Sequence, residues 1–102
     1  MVIFAELQPE RDDVEFHGEL AAFLAGRFPG TRAGLQCDSW VWICDGKTKV
    51  AVDTFTSRHH QIKAAAAGSL VEQVILALAE KYPLERFSPP LLEEHEEAPD
   101  DS

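Results

Sequence analysis

The side chains of this sequence best suited to metal binding or catalysis are two cysteines and two adjacent histidines: Cys37, Cys44, His59 and His60. A structural zinc site usually takes ligands from a short C-x₂₋₄-C pair, whereas six residues separate the cysteines here. Neighbouring histidines on an extended chain also point in opposite directions. We therefore expect no metal site and no other cofactor, and we expect Cys37 to be a small buried hydrophobe.

A catalytic thiol is the second chemistry that these residues suggest. A thiol nucleophile needs a histidine base and an acid that orients it, and Cys44, His59 and Asp53 supply these types. A small enzyme with a site near the Cys44–Asp53 region is therefore one hypothesis. The sequence contains no glycine-rich phosphate loop, nucleophile elbow or His-Glu-x-x-His motif, so it favours a binding function over catalysis.

Two tryptophans and two lysines lie in a predicted β-hairpin. Asp45-Gly46 separates two alternating β-rich runs, which predicts a two-residue turn with Trp42 opposite Lys49. Alternation then sorts the hairpin into two faces. The core face carries Val41, Ile43, Val50 and Val52, and the other carries Trp40, Trp42, Cys44, Lys47, Lys49, Ala51, Asp53 and Phe55.

The tryptophan-bearing face is the predicted functional surface. Two tryptophans offer about 300–500 Å² of apolar area, as much as the largest apolar patch of a typical monomer. Either the N-terminal strand, the 84–92 segment or a helix covers them, or a partner does. The predicted binding residues are Trp40, Trp42, Lys47 and Lys49, and the lysines favour an acidic partner surface.

Two amphipathic helices are predicted to flank the strands. The first follows an acidic cap at Asp12-Asp13, and the second opens with a capping box from Ser69 to Glu72. Their apolar stripes have helical spacing, with Phe16, Leu20, Phe23, Leu24 and Phe28 in the first and Val71, Val74, Ile75, Leu78 and Tyr82 in the second.

These elements predict an α+β domain over residues 1–92. We expect two helices packed on one face of a three- or four-stranded antiparallel sheet, in the order (β)-α-β-β-β-α. The optional first strand is residues 2–7, and a strand over residues 33–37 precedes the hairpin. Residues 57–68 fit a loop, a strand or a helix, and residues 84–92 are predicted as an irregular segment laid on the body.

Charge is distributed unevenly along the chain. Residues 93–102 carry six acidic and no basic residues and are predicted to be a disordered acidic tail. The α-β-β-β-α order is also that of double-stranded-RNA-binding domains, so a nucleic-acid-binding domain is a further alternative. A pI of about 4.7 opposes it, because an acidic chain is repelled by a polyanion.

The sequence as a whole favours a small protein-binding or regulatory module. It would act through the tryptophan-bearing face, with itself as a homodimer or with another protein. Two cysteines do not form a disulfide framework, and we find neither a signal peptide nor an apolar run long enough for a membrane span. We therefore expect a cytoplasmic location and no membrane partner.

Overall fold

Six strands and two helices make up the computed structural model, which describes residues 1–11, 13–36 and 38–93. The elements are β1 (Val2–Leu7), α1 (Val14–Arg27), β2 (Thr31–Gln36), β3 (Asp38–Asp45), β4 (Thr48–Asp53), β5 (Gln61–Ala64), α2 (Ser69–Ala79) and β6 (Leu84–Leu92). The strands form one antiparallel sheet in the order β2-β3-β4-β5-β1-β6. The predicted α+β class is confirmed.

The predicted count of three or four strands is too low. Residues 61–64 form β5, which pairs with β1 and β4, and residues 84–92 form β6 at one edge of the sheet. β6 contains Pro89 and Pro90, which supply no backbone N–H and so mimic an irregular segment in the sequence. An edge strand tolerates them because one of its sides needs no ladder partner.

Helix α1 begins at an acidic cap, as predicted. Asp13 is the N-cap residue, and its carboxylate accepts a hydrogen bond from the backbone N–H of Phe16 at 3.0 Å. Asp12 lies outside the described residues. Phe16, Leu20 and Leu24 are buried, and the two remaining stripe residues pack partly buried against the same core.

Helix α2 buries its whole predicted stripe but does not use the predicted capping box. Its N-cap residue is Gly68, without a side-chain hydrogen bond to the helix. The Glu72 carboxylate instead accepts two hydrogen bonds from Arg86 on β6, at 2.9 and 2.7 Å. A bidentate guanidinium pair outcompetes a single backbone N–H for the carboxylate.

The core lies between the two helices and one face of the sheet. Val41, Ile43, Val50 and Val52 belong to it, as the alternation in the hairpin predicts, together with Ile62 of β5. Both helices therefore cover the same face. Neither helix of the described ranges has the length and apolar character of a membrane span.

The β3–β4 hairpin has the predicted faces but a different register. Trp42 pairs with Ala51, so the predicted pairing of Trp42 with Lys49 is wrong. The pairing differs by two residues. Because side chains alternate with a period of two, that shift leaves the residues of β3 and β4 on their predicted faces. Lys47, which was predicted on the tryptophan-bearing face, lies instead in the loop.

The turn explains the register. Asp45 pairs with Thr48, so the two-residue loop is Gly46-Lys47 and not Asp45-Gly46. Gly46 has a φ of 63°. Two-residue hairpin turns of the primed types need positive φ at the first central position, and glycine adopts it without steric penalty.

Replacing Gly46 by alanine is expected to lower the free energy of unfolding by about 1 kcal/mol, because a Cβ disfavours positive φ. Gly18→Ala is the control, since Gly18 lies within α1 and nothing stands within 4 Å of the added Cβ. That change should raise stability by about 0.5–1 kcal/mol. Denaturant unfolding of both variants checks the opposite signs, and a neutral or stabilising Gly46→Ala would contradict the turn.

Candidate binding site

Five residues on the sheet face away from the helices form what we call the tryptophan patch: Arg32, Gly34, Trp40, Trp42 and Lys49. They come from three adjacent strands, because Arg32 pairs with Trp42 and Gly34 with Trp40 across β2 and β3. The two indole rings lie 4.5 Å apart between centroids, at an interplanar angle of 37°. Lys49 Nζ lies 4.2 Å from the centroid of the Trp42 ring, within the range of a cation–π contact.

Gly34 gives Trp40 its position. A Cβ built on Gly34 would lie 2.3 Å from Cζ2 of Trp40, which is closer than any real contact. The indole therefore occupies the place where a side chain on β2 would stand. Glycine weakens a strand interior, and here it allows a ring from the neighbouring strand to lie flat on the backbone.

No other element of the described ranges lies over the tryptophans. Both helices pack on the opposite face. β1 and β6 lie at the far end of the sheet, with β4 and β5 between them and β3. The N-terminal strand and the 84–92 segment, which the sequence offered as covers, therefore do not lie on the rings. Trp40 and Trp42 are each partly exposed.

The two predicted lysines have different surroundings. Lys49 contacts the Trp42 ring, whereas Lys47 lies exposed in the hairpin loop. Lys47 lines a shallow cleft of about 400 Å³ between the hairpin loop and the start of α2, and Lys49 also reaches this cleft. Cys44 shares the face of the tryptophans with its thiol free and exposed, and its cross-strand partner is Lys49.

A buried ion cluster lies beside the patch on the same face. Lys63 of β5 is 1% exposed, and its ammonium donates to the Asp53 carboxylate at 2.6 Å and also to the Glu93 carboxylate. The Phe55 ring centroid lies 5.6 Å from Lys63 Nζ. Charges this deep are tolerated only when they are paired and hydrogen-bonded.

Glu93 belongs to the folded part of the chain, one residue beyond the predicted end of the domain at residue 92. The predicted disordered tail starts at residue 93, yet the Glu93 carboxylate is buried against Lys63 and its N–H donates to the Met1 carbonyl at 3.2 Å. The tail prediction overlooked a charge–charge anchor because it considered apolar anchors alone. Residues 94–102 lie outside the described residues.

A second polar network lies at the start of α1. Ser39 Oγ is 2.6 Å from His17 Nδ1 and 2.8 Å from His60 Nε2. A hydroxyl has one hydrogen, so Ser39 donates to one imidazole and accepts an N–H from the other. Ser39 and His60 are buried, His17 is partly exposed, and burial lowers the pKa of His17 below its ordinary value of 6.5. Sequence spacing gave no signal for this network, because its members are more than 20 residues apart.

The residues of the enzyme hypothesis do not converge. Asp53 is bonded to Lys63. Lys49 is the cross-strand partner of Cys44. Asp53 lies four residues from Lys49 along β4, a distance of about 13 Å. His59 lies with Nδ1 3.0 Å from the Leu7 carbonyl oxygen, on the chain segment before β5.

The described residues contain no group of three or more histidine, cysteine or acidic side chains placed to hold a metal ion. Cys37, one member of the zinc hypothesis, lies outside them. No protein family model, curated protein or solved structure matches the chain.

Replacing Lys63 by methionine is expected to lower the free energy of unfolding by about 3–5 kcal/mol at neutral pH, because it leaves two buried carboxylates without their cation. Lys49→Met is the matched control, since Lys49 is exposed, and it should change stability by less than about 1 kcal/mol. Denaturant unfolding measures both. Equal effects of the two substitutions would contradict the ion cluster.

The His17 network predicts a pH dependence of stability. Because burial lowers the pKa of His17 in the folded state, the unfolded chain binds a proton first as the pH falls below about 6.5, and the free energy of unfolding decreases there. His17→Asn keeps a polar atom near the position of Nδ1 and should flatten the profile between about pH 7.5 and 5.5. An unchanged slope in His17→Asn would contradict the assignment.

Proposed function

We propose that the protein is a binding module whose tryptophan patch recognises an acidic segment of another protein. The observation that carries the proposal is the pair of partly exposed indoles in mutual contact beside Lys49 and Arg32, on a sheet face that neither helix covers. Aromatic and arginine side chains are the types that most often dominate binding free energy at protein interfaces.

The size of the apolar area supports a patch that works as an anchor. Because both rings are already partly buried in the subunit, they expose at most about half of the roughly 400 Å² that two free tryptophans offer. Removing about 200 Å² of apolar surface from water is worth about 5 kcal/mol as an upper bound. Association itself costs roughly 4–15 kcal/mol. The rings therefore need a partner that adds further contacts, and the charges around them decide which partner that is.

The local charges favour an acidic segment. Lys49 lies over Trp42, and Arg32 is the cross-strand neighbour of Trp42 on the other side. Asp53, opposite Trp40, is bonded to Lys63, which also binds Glu93 and holds both carboxylates in the buried cluster. The five patch residues themselves carry two positive charges and no negative one, on a chain of formal net charge −9, so acidic groups are favoured there over the rest of the surface.

A cytoplasmic location belongs to this proposal. Cys44 is a free, exposed thiol on the face that we assign to binding. Exposed thiols persist in reducing compartments and are oxidised elsewhere.

Selection of random displayed dodecapeptides on the full chain tests the proposal without requiring a candidate partner. We expect enriched peptides with several acidic residues around an apolar or aromatic one. The chain has two tryptophans, both in the patch, so intrinsic fluorescence reports binding of a synthetic enriched peptide directly. Enrichment of basic peptides, or of none, would contradict the proposal.

Trp42→Ala should weaken binding of that peptide at least tenfold, which corresponds to about 1.4 kcal/mol. The fluorescence of the remaining Trp40 still reports peptide binding in this variant. Because Trp42 is partly exposed, the free energy of unfolding should fall by less than the roughly 3–5 kcal/mol that loss of a buried tryptophan costs.

Lys49→Gln should weaken the same binding about threefold, whereas Lys81→Gln, whose ammonium contacts the Phe23 and Tyr82 rings away from the patch, should not. A twenty-base-pair RNA duplex at about 150 mM salt provides the nucleic-acid arm. If the chain binds the duplex and Lys49→Gln abolishes that binding, the nucleic-acid alternative replaces the proposed function.

A further inference from the structure

Strand β2 ends the sheet and has an open outer side. Among the described residues β2 pairs with β3 alone. The backbone N–H of Cys44 donates to the Gly30 carbonyl at 3.0 Å, which fixes the ladder phase. Since antiparallel pairs alternate, residues 32, 34 and 36 direct their backbone groups to β3, and residues 31, 33 and 35 direct theirs outward.

The two edges of the sheet differ in how they are protected. β6 carries Pro89 and Pro90, which remove N–H donors from that edge. β2 has the sequence Thr-Arg-Ala-Gly-Leu-Gln, without proline. Its central outward residue is Ala33, which is small and exposed. An edge of this kind is a template for another strand.

We propose that β2 pairs with β2 of a second copy of this chain, antiparallel about a two-fold axis at Ala33. The outward residues are symmetric about this position, so Ala33 meets Ala33 and Thr31 meets Leu35 of the second copy. These pairs exchange backbone hydrogen bonds without any change in the subunit. Two six-stranded sheets then join into one continuous sheet.

The same register supplies a specific side-chain contact. Arg32 stands opposite Gly34 of the second copy in a non-hydrogen-bonded pair, where side chains approach most closely. Gly34 has no side chain, and the Trp40 ring lies on it. The Arg32 guanidinium therefore reaches the Trp40 ring of the second copy, and the two-fold axis makes this cation–π contact twice.

The dimer joins the two tryptophan patches on one face and leaves Trp42 and Lys49 open in each. It is thus compatible with the proposed function and does not depend on it. Each copy carries a formal net charge of −9, so long-range repulsion opposes pairing at low ionic strength. Added salt screens that repulsion, and dimerisation should strengthen between about 20 and 300 mM salt.

Sedimentation velocity of the full chain over a concentration series tests the proposal. We expect a concentration-dependent dimer. Ala33→Pro removes one outward N–H that the β2–β3 ladder does not use, and it should weaken the dimer at least tenfold. Ala33→Ser, which keeps the N–H, is the matched control, and circular dichroism confirms that both variants are folded.

Arg32→Gln should weaken the dimer about threefold or more without touching the backbone, and Arg58→Gln, exposed on the loop before β5, should not. A monomer at all concentrations up to about 200 µM would overturn the proposal. So would a dimer that Ala33→Pro and Arg32→Gln leave unchanged. Loss of peptide binding in Trp42→Ala with an intact dimer concerns the patch alone, so the two proposals fail separately.

A cross-linking measurement fixes the register. Ala33→Cys in a Cys37→Ser, Cys44→Ser background places one thiol on the two-fold axis, where a short bis-maleimide should join the two copies. Gln73→Cys, exposed on α2, is the control in the same background and should not cross-link. Equal yields from both positions would contradict pairing at Ala33.

Discussion

The structure depends on one constraint: two helices can cover only one face of a six-stranded sheet. The side chains of the covered face, including Val41, Val52 and Ile62, are buried against the helices in an apolar core. The other face has no second layer among the described residues, so its side chains must bury one another. Two indoles in mutual contact do this on β3, and a paired lysine does it on β5. The proposed function uses the part of that face that stays incompletely covered.

The buried lysine does more for specificity than for stability. Removing Lys63 and its carboxylates from water costs most of what their attraction returns. A slip of β5 by one residue would, however, turn the ammonium into the apolar core. The cluster therefore fixes the register of β5, and through Glu93 it also holds the chain that leaves β6 against the open face. The cluster thus holds both β5, which the sequence left open, and the end of β6, which was predicted to be irregular.

Periodicity within single elements predicted most of the fold, and contacts between distant elements account for the rest. Both helical stripes and both hairpin faces were predictable because each is a local pattern. The hairpin register was not, since Asp45-Gly46 and Gly46-Lys47 turns give the same faces. β5 was ambiguous because its outward residues, Gln61 and Lys63, are polar yet buried, which a single strand cannot reveal. The tryptophan patch was predictable by alternation, whereas Arg32 and Gly34 joined it through the β2–β3 pairing.

Gly34 connects the local chemistry of the patch with the sheet edge. On any other residue the Cβ would displace the Trp40 ring, which would then lose its backing on β2. Gly34 lies in the edge strand β2, which contains no proline and carries Arg32 two residues away. At the opposite edge, Pro89 and Pro90 remove backbone donors from β6, and Lys63 fixes the register of β5 between the two edges. The molecule is therefore asymmetric across its strands, with a closed end that fixes register and an open end that concentrates exposed aromatic, basic and backbone groups. We therefore place the proposed recognition at the β2–β4 end of the sheet, where aromatic and basic side chains and backbone groups are left exposed.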